Sequence, residues 1–290
     1  MWNARCGKLL RGEMSDRHGS SPSFDGSVPE FYDRYLVPLI FEPYADDLVA
    51  RLGDFDVGSI LEVAAGSGVV TRAMAAGLPA SVSITATDLS QPMIDYGKSV
   101  GTSRPVVWQR GDVMDLPFGD ATFDAVVCQF GVMFFPDRPA AFAEVARVLR
   151  PGGVFLFNVW DRIENNEFAA VVTEAVGRLF ADDPPLFLAR TPYGYFDEAT
   201  IQDDIAAGGF VSPARVAVLE VRSRASSAEI PAIAFCQGTP LRDEIEARQP
   251  TRLGEATAVA TAAIEERFGK TDVEGKIRGL VISATKPLTA

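Results

Sequence analysis

Histidine is almost missing from this chain: the 290 residues contain one, His18. It falls in a polar, Ser/Gly-rich N-terminus, residues 1–25, that reads as a disordered tail. That weighs against any mechanism built on a core histidine base or a histidine-bound metal, and no metal site is expected. Cysteine is scarce too. Cys6, Cys128 and Cys236 share no metal-ligand spacing and cannot all pair, so a reduced, cytoplasmic protein is the expectation. Cys128, inside an apolar run, reads as a small buried hydrophobe. No window approaches the roughly 18 consecutive apolar residues of a membrane span. The N-terminus lacks the apolar core of a signal peptide, and Met14 is an alternative start. Positive charge is also short: 27 Lys and Arg stand against 39 Asp and Glu, for a net charge of −12 with no basic run. A nucleic-acid backbone is therefore a poor partner. What remains is a soluble globular composition, 47% hydrophobic, long enough for one large domain with an insertion.

From about residue 59, short β-branched runs alternate with helical stretches. SILEVA (59–64), SVSITATD (81–88), PVVWQRGD (105–112), FDAVVCQF (123–130) and VFLFNVW (154–160) read as strands, the last after an RPGG turn. Helices are expected at 70–78, 91–100 and 138–149 between them, and at 167–180 and 199–210 beyond. The strands are nearly continuous apolar runs, as a sheet buried on both faces requires. Further strands are expected at 214–223 and 277–286, around a mostly helical, polar segment 224–276. The fold class is α/β: a doubly wound, seven-stranded, mostly parallel sheet of Rossmann-like type with helical cap elements. In domain terms, 26–52 is an N-terminal helical lid, 53–223 with 277–290 is the core, and 224–276 is an insertion over one sheet edge.

LEVAAGSGVV (61–70) ends the first strand and opens the first helix. In an open parallel sheet that is where ligands bind. Gly66 and Gly68 allow close backbone approach. Alone the turn is a weak signal, but Asp88 ends the second strand and Asp112 follows the third. Asp88 is placed to accept hydrogen bonds from a ribose, and Asp112 to meet an adenine amine. Each has a bland alternative, a helix cap for Asp88 and a loop turn for Asp112. Two adenosine cofactors fit such a sheet. A nicotinamide dinucleotide wants G-x-G-x-x-G, but the sixth position is Thr71. A pyrophosphate-free ligand such as S-adenosylmethionine fits better.

LEVAAGSGVVT, TATDLSQPMI, QRGDVMDLPFGDATFDAVVCQFGVMFFPD and EVARVLRPGGVFLF together resemble the successive motifs of class I S-adenosylmethionine-dependent methyltransferases. The subgroup most resembled includes the ubiquinone/menaquinone C-methyltransferases and many small-molecule methyltransferases. The likeness runs over about 58–160. It implies that Glu62, Ala64, Gly66 and Gly68 form the loop against the methionine part of the cofactor, with Ala64 replacing the usual first glycine. It implies further that Asp88 holds the ribose, Leu89 and Met93 flank the adenine, and Asp112 and Val113 meet its amine and ring edge. Gln129 and Phe130 are implied beside the reactive methyl.

The acceptor is a small organic molecule, with an apolar or aromatic one preferred. The segment 29–52 carries Phe31, Tyr32, Tyr35, Phe41 and Tyr44, and Pro38 and Pro43 are expected to break it. It reads equally as a helix packed on the sheet or as a lid over the site. GVMFFPD (131–137) and FCQGTPLRDEIEAR (235–248) are the other pocket candidates. Tyr32, Tyr35, Met133 and Phe134 are the expected acceptor contacts. With histidine out of reach, either a carboxylate or a tyrosine serves as base, or the acceptor is already nucleophilic; no catalytic residue is assigned. An NAD-dependent oxidoreductase and a non-catalytic S-adenosylmethionine-binding protein are the alternatives.

Overall fold

The structure is a computed structural model and describes residues 28–211 and 213–288. The expected tail, with Cys6, Met14 and His18, lies outside the described residues. Seven strands form one sheet: β1 Ser59–Glu62, β2 Ser83–Asp88, β3 Val107–Arg110, β4 Phe123–Gln129, β5 Leu149–Trp160, β6 Arg215–Ser227 and β7 Thr271–Thr285. Their order is β3-β2-β1-β4-β5-β7-β6. The first five are parallel, and β7 runs antiparallel to both neighbours. Strand order reverses between β1 and β4, which leaves a crevice at their carboxyl ends.

Neighbouring residues of the central strands feed opposite faces, and both faces are buried. Ile60, Ala125, Val127 and Leu156 join one core; Leu61, Val126, Cys128, Phe155 and Phe157 join the other. That is the physical reason for the continuous apolar runs. The helical elements are α1 Val28–Phe31, a π-helix Tyr32–Phe41, α2 Glu42–Leu52, α3 Val69–Gly77, α4 Gln91–Val100 and α5 Arg138–Val148. Beyond β5 come α6 Glu167–Leu179, α7 Phe187–Arg190, α8 Glu198–Ala207, α9 Glu229–Gln237, α10 Leu241–Arg248 and α11 Leu253–Phe268. Among the described residues, no helix is long and apolar enough to cross a membrane.

Three local expectations change. Pro38 does not break the N-terminal segment. Residues 32–41 wind as a π-helix, and the Glu42 N–H reaches back five residues to the Val37 carbonyl. The wider turn relieves the clash that a proline ring makes with the carbonyl four residues earlier. Pro43 sits in the first turn of α2, where no N–H is needed. Second, RPGG is not a free turn but part of β5: Leu149 pairs with Phe123, and the register then shifts before Val154 pairs with Ala125. Gly152, at φ +78°, takes up that bulge. Third, β6 and β7 are longer than expected and zip together from Arg215–Ser283 to Ser227–Thr271. The helical insertion therefore spans only 229–268.

Candidate active site

The glycine turn is shaped by a run of left-handed residues: Ala64 at φ 53°, Gly66 at 55° and Gly68 at 86°. They do different things. A Cβ on Gly66 would meet nothing within 4 Å, so its bare face looks into open space. A Cβ on Gly68 would stand 2.5 Å from the Trp108 ring. Gly68 is thus a packing glycine that caps α3 above Trp108. Glu62 is also set back from the turn's open face. It is 2% exposed, and the Thr71 hydroxyl donates to its carboxylate. Burial pushes Glu62 up to about 8 despite that hydrogen bond; the Asp88 charge adds to the rise and Arg72 opposes it.

Ala64 places a methyl where the left-handed backbone suits glycine. The space for it exists because residue 131 is glycine: a Cβ there would lie 2.6 Å from the Ala64 Cβ and 2.7 Å from the Cys128 sulfur. A left-handed conformation costs an L-residue about 1–2 kcal/mol, partly offset by the greater chain entropy of glycine. Ala64→Gly should therefore raise the unfolding free energy by about 0.5–1 kcal/mol in urea denaturation; a clear fall would show that the methyl is required packing.

Asp88 closes β2 under this turn. One carboxylate oxygen accepts from the Gly66 N–H and the other from the Ser90 N–H, both at 2.8 Å. Burial raises its pKa, against the lowering effect of those backbone hydrogen bonds and one from Leu89. The cap of α4 is Ser90, not Asp88, so the bland reading of Asp88 falls away. For Asp112 the loop-turn reading is correct as far as it goes: one oxygen accepts from the Met114 N–H at 2.9 Å, and the side chain is exposed.

These residues surround a cavity of about 590 Å³ at the carboxyl ends of β1 to β4. Of the residues expected at a cofactor, Ala64, Gly66, Asp88, Leu89, Met93, Asp112, Val113, Gln129 and Phe130 line it. Glu62 and Gly68 do not. Sequence reasoning missed Ser90 and Arg110 on the same wall, and Asp33, which is not on it. Asp33 accepts from the Ser67 hydroxyl at 2.7 Å and pairs with Arg72 at 2.8 Å. These contacts pin the π-helix to the glycine turn and bring Tyr32 to the cavity edge.

A second, smaller cavity of about 70 Å³ adjoins the first and shares Tyr32, Phe130 and Phe134 with it. Phe130 is the common partition. It holds a left-handed backbone at φ 49°, and its N–H donates to the Asn158 side chain at 2.9 Å. Its ring stacks on Trp160 at 3.7 Å between centroids, 5° from parallel. A strained residue that its surroundings fix so tightly is typical of a functional wall. The remaining walls come from three places: Leu36, Ile40 and Phe41 of the π-helix; Phe187, Leu188 and Tyr193 before β6; and Phe235, Thr239 and Pro240 of the insertion. Glu244 of α10 holds the middle group in place by accepting from the Leu186 and Phe187 N–H groups at 2.9 and 3.2 Å. Among the described residues, no charged one lines this cavity. Of the acceptor contacts expected, Tyr32 and Phe134 line it, whereas Tyr35 and the buried Met133 line neither cavity.

Residues 61–157 match a family model described as a methyltransferase domain. The ubiquinone/menaquinone biosynthesis C-methyltransferase UbiE of Geotalea daltonii is 39% identical over 136 residues, which cover 45% of this chain and 58% of that protein. The demethylmenaquinone methyltransferase of Mycobacterium sp. (strain JLS) is 32% identical over 170 residues, covering 56% of this chain and 71% of its own length. The chain spans about half the length of the first curated relatives it matches, 58% and 43%. A SAM-dependent methyltransferase structure from Thermotoga maritima shares the fold, with a TM-score of 0.52 at 16% identity, covering 91% of this chain and 98% of that one. The family match ends at residue 157, before Trp160, Phe187, Tyr193 and Phe235 of the second cavity.

Proposed function

The chain belongs to the class I S-adenosylmethionine-dependent methyltransferases, and on that premise we propose that it methylates a small, uncharged, apolar or aromatic acceptor held where the second cavity meets the first. One observation carries the reading: a large cavity with acidic residues at two strand ends shares a three-residue wall with an apolar cavity that, among the described residues, has no charged lining. The residues present suit the cofactor. Gly66 offers a face no side chain fills, Asp88 keeps a lone pair beyond its backbone hydrogen bonds from Gly66, Ser90 and Leu89, and Asp112 is exposed at the far end.

In this reading Ala64 and Gly66 contact the methionine part, Asp88 holds the ribose, Leu89 and Met93 flank the adenine, and Asp112 and Val113 meet its edge. Gln129 and Phe130 stand nearest the transferred group. Glu62 acts at one remove, fixing the turn through Thr71. S-adenosylmethionine, when bound, supplies a methyl carbon already activated by its sulfonium. The protein's part is to align the acceptor and exclude water, and orientation alone contributes about 7–11 kcal/mol in favourable cases. The π-helix and the 229–268 insertion together form the acceptor cap. The acidic surface and the buried thiols Cys128 and Cys236 accord with a small-molecule enzyme of the cytoplasm.

The direct test is mass spectrometry of a metabolite extract incubated with the full chain and S-adenosylmethionine carrying a deuterated methyl group. A metabolite gaining one labelled methyl supports transfer. Cofactor binding with no labelled product in any extract would favour the non-catalytic alternative.

A further inference from the structure

The acceptor cavity has three side chains with hydroxyl groups: Tyr32, Thr239 and Tyr193. Thr239 is engaged within its own turn; its hydroxyl donates to the Phe235 carbonyl at 2.7 Å and accepts from the Leu241 N–H at 3.2 Å. Tyr44, buried just outside the cavity lining, donates to the Leu219 carbonyl at 3.1 Å. Tyr193 differs from both. Its side chain is 2% exposed and packs on Trp160 at 5.7 Å between ring centroids, yet its hydroxyl oxygen is not sealed in the core: it stays accessible at the cavity wall, and no described residue hydrogen-bonds it. A ligand that fills the cavity would cut that hydroxyl off from water, and the cost is avoided only if the ligand offers it a hydrogen-bond acceptor.

We propose that Tyr193 is the orienting residue of the acceptor site, its hydroxyl reserved for a hydrogen bond to a hydroxyl or carbonyl oxygen on an otherwise apolar aromatic acceptor. The inference rests on reading the apolar cavity as the acceptor site. The walls define the rest of the acceptor. Phe130, Trp160 and Phe134 line it with aromatic rings, Phe130 and Trp160 stacked on one another, and such a wall suits a planar ring. Among the described residues, no lining side chain can pair with a carboxylate, phosphate or ammonium, so an acceptor carrying one would lose its hydration without compensation. One unpartnered hydroxyl selects for one oxygen.

Tyr193 is a donor and not a base, because burial raises its hydroxyl well above the ordinary tyrosine range. The proton balance follows. Methyl transfer makes a bond from the acceptor atom to the methyl carbon and breaks the sulfur–methyl bond, whose electron pair returns to sulfur. The positive charge leaves the sulfonium and passes to the acceptor. With no base among the described residues of the lining, that charge is cancelled either by an acceptor that arrives deprotonated or by a proton lost to water when the product leaves. In the first case the negative charge spreads onto the oxygen that Tyr193 holds, so the same hydrogen bond steadies the reactive form.

The test compares two probes of nearly equal shape, p-cresol and p-xylene, titrated by NMR onto the S-adenosylhomocysteine-loaded full chain and its Tyr193→Phe variant. In the wild type the cresol-to-xylene affinity ratio should exceed that of Y193F by about tenfold, the worth of one hydrogen bond freed of the probes' own hydration. Y193F should also keep its Tm within about 2 °C of the wild type, because the hydroxyl is accessible at the cavity wall and bonds no described residue. A purely structural hydroxyl would instead lower the Tm when removed. An unchanged ratio, or a fall in Tm, overturns the assignment of Tyr193 alone. Failure of both probes to bind, with S-adenosylhomocysteine bound, overturns the reading of the cavity as well.

Discussion

Asp88→Ala is expected to weaken S-adenosylhomocysteine binding by roughly 10²–10³-fold, the loss of about two charge-assisted hydrogen bonds. The magnitude follows from the setting of the carboxylate. It lies beneath the glycine turn, each oxygen already aimed by a backbone N–H, so little ordering remains to be done when a ribose arrives. The substitution also frees the Gly66 and Ser90 N–H groups, so part of the loss could reflect a relaxed turn. Asp88→Asn separates the two effects. It retains an oxygen for one of those N–H groups and keeps the shape, but removes the charge, and should lose about tenfold while its unfolding midpoint stays near wild type. Calorimetric titration reads both variants. Wild-type affinity in Asp88→Ala would move the ribose to another place in the cavity.

The second large effect concerns pH and Glu62. A carboxylate raised to about 8 in the folded protein and ionising near 4.5 when unfolded keeps its proton on folding across that whole window. The native state then binds more protons than the unfolded state, so stability falls as pH rises from about 4.5 to 8 and levels off above. At lower pH the group contributes nothing. The full penalty is a few kcal/mol, with about 4–5 as its ceiling. Asp88, raised in the same direction, adds to the slope. The lowered carboxylates Asp124, Glu144 and Glu274 act only at more acid pH. Glu62→Gln keeps an oxygen for the Thr71 hydroxyl and removes the ionisation. Urea denaturation of the cofactor-free chain at pH 5.5 and 8.5 should show the wild type losing more stability than Glu62→Gln between the two. Parallel losses would mean that Glu62 is ionised in the fold.

The cofactor half of the molecule was largely legible in the sequence because local rules and global topology agree there. β-branched runs bounded by turns gave the strands, and acidic residues at their carboxyl ends fell where the sheet opens. The exceptions are instructive. Gly68 looked like a ligand-facing glycine because spacing records that a Cβ is missing, not which neighbour requires it; here the neighbour is Trp108. Glu62 looked like a ligand contact, and its depth behind the turn is a tertiary fact. Pro38 misled because helix breaking by proline presupposes α-helical spacing, and the π-helix provides another.

The acceptor half was far less legible. Its walls come from the π-helix, the end of β5, the segment around α7 and the insertion, which meet only through packing. Tyr193 lies in a loop with no period to mark it, and its signature, a buried ring whose hydroxyl is left to the cavity, exists only in three dimensions. Trp160 did carry a signal: a large aromatic at the carboxyl end of a central strand stands beside the site in this class of sheet.

The most direct measurement of the central claim is a pair of calorimetric titrations of the full chain, one with S-adenosylhomocysteine and one with NAD. S-adenosylhomocysteine is expected to bind saturably, one to one, and NAD not at all. Binding of NAD in its place would mean that the glycine turn and Asp88 serve a dinucleotide.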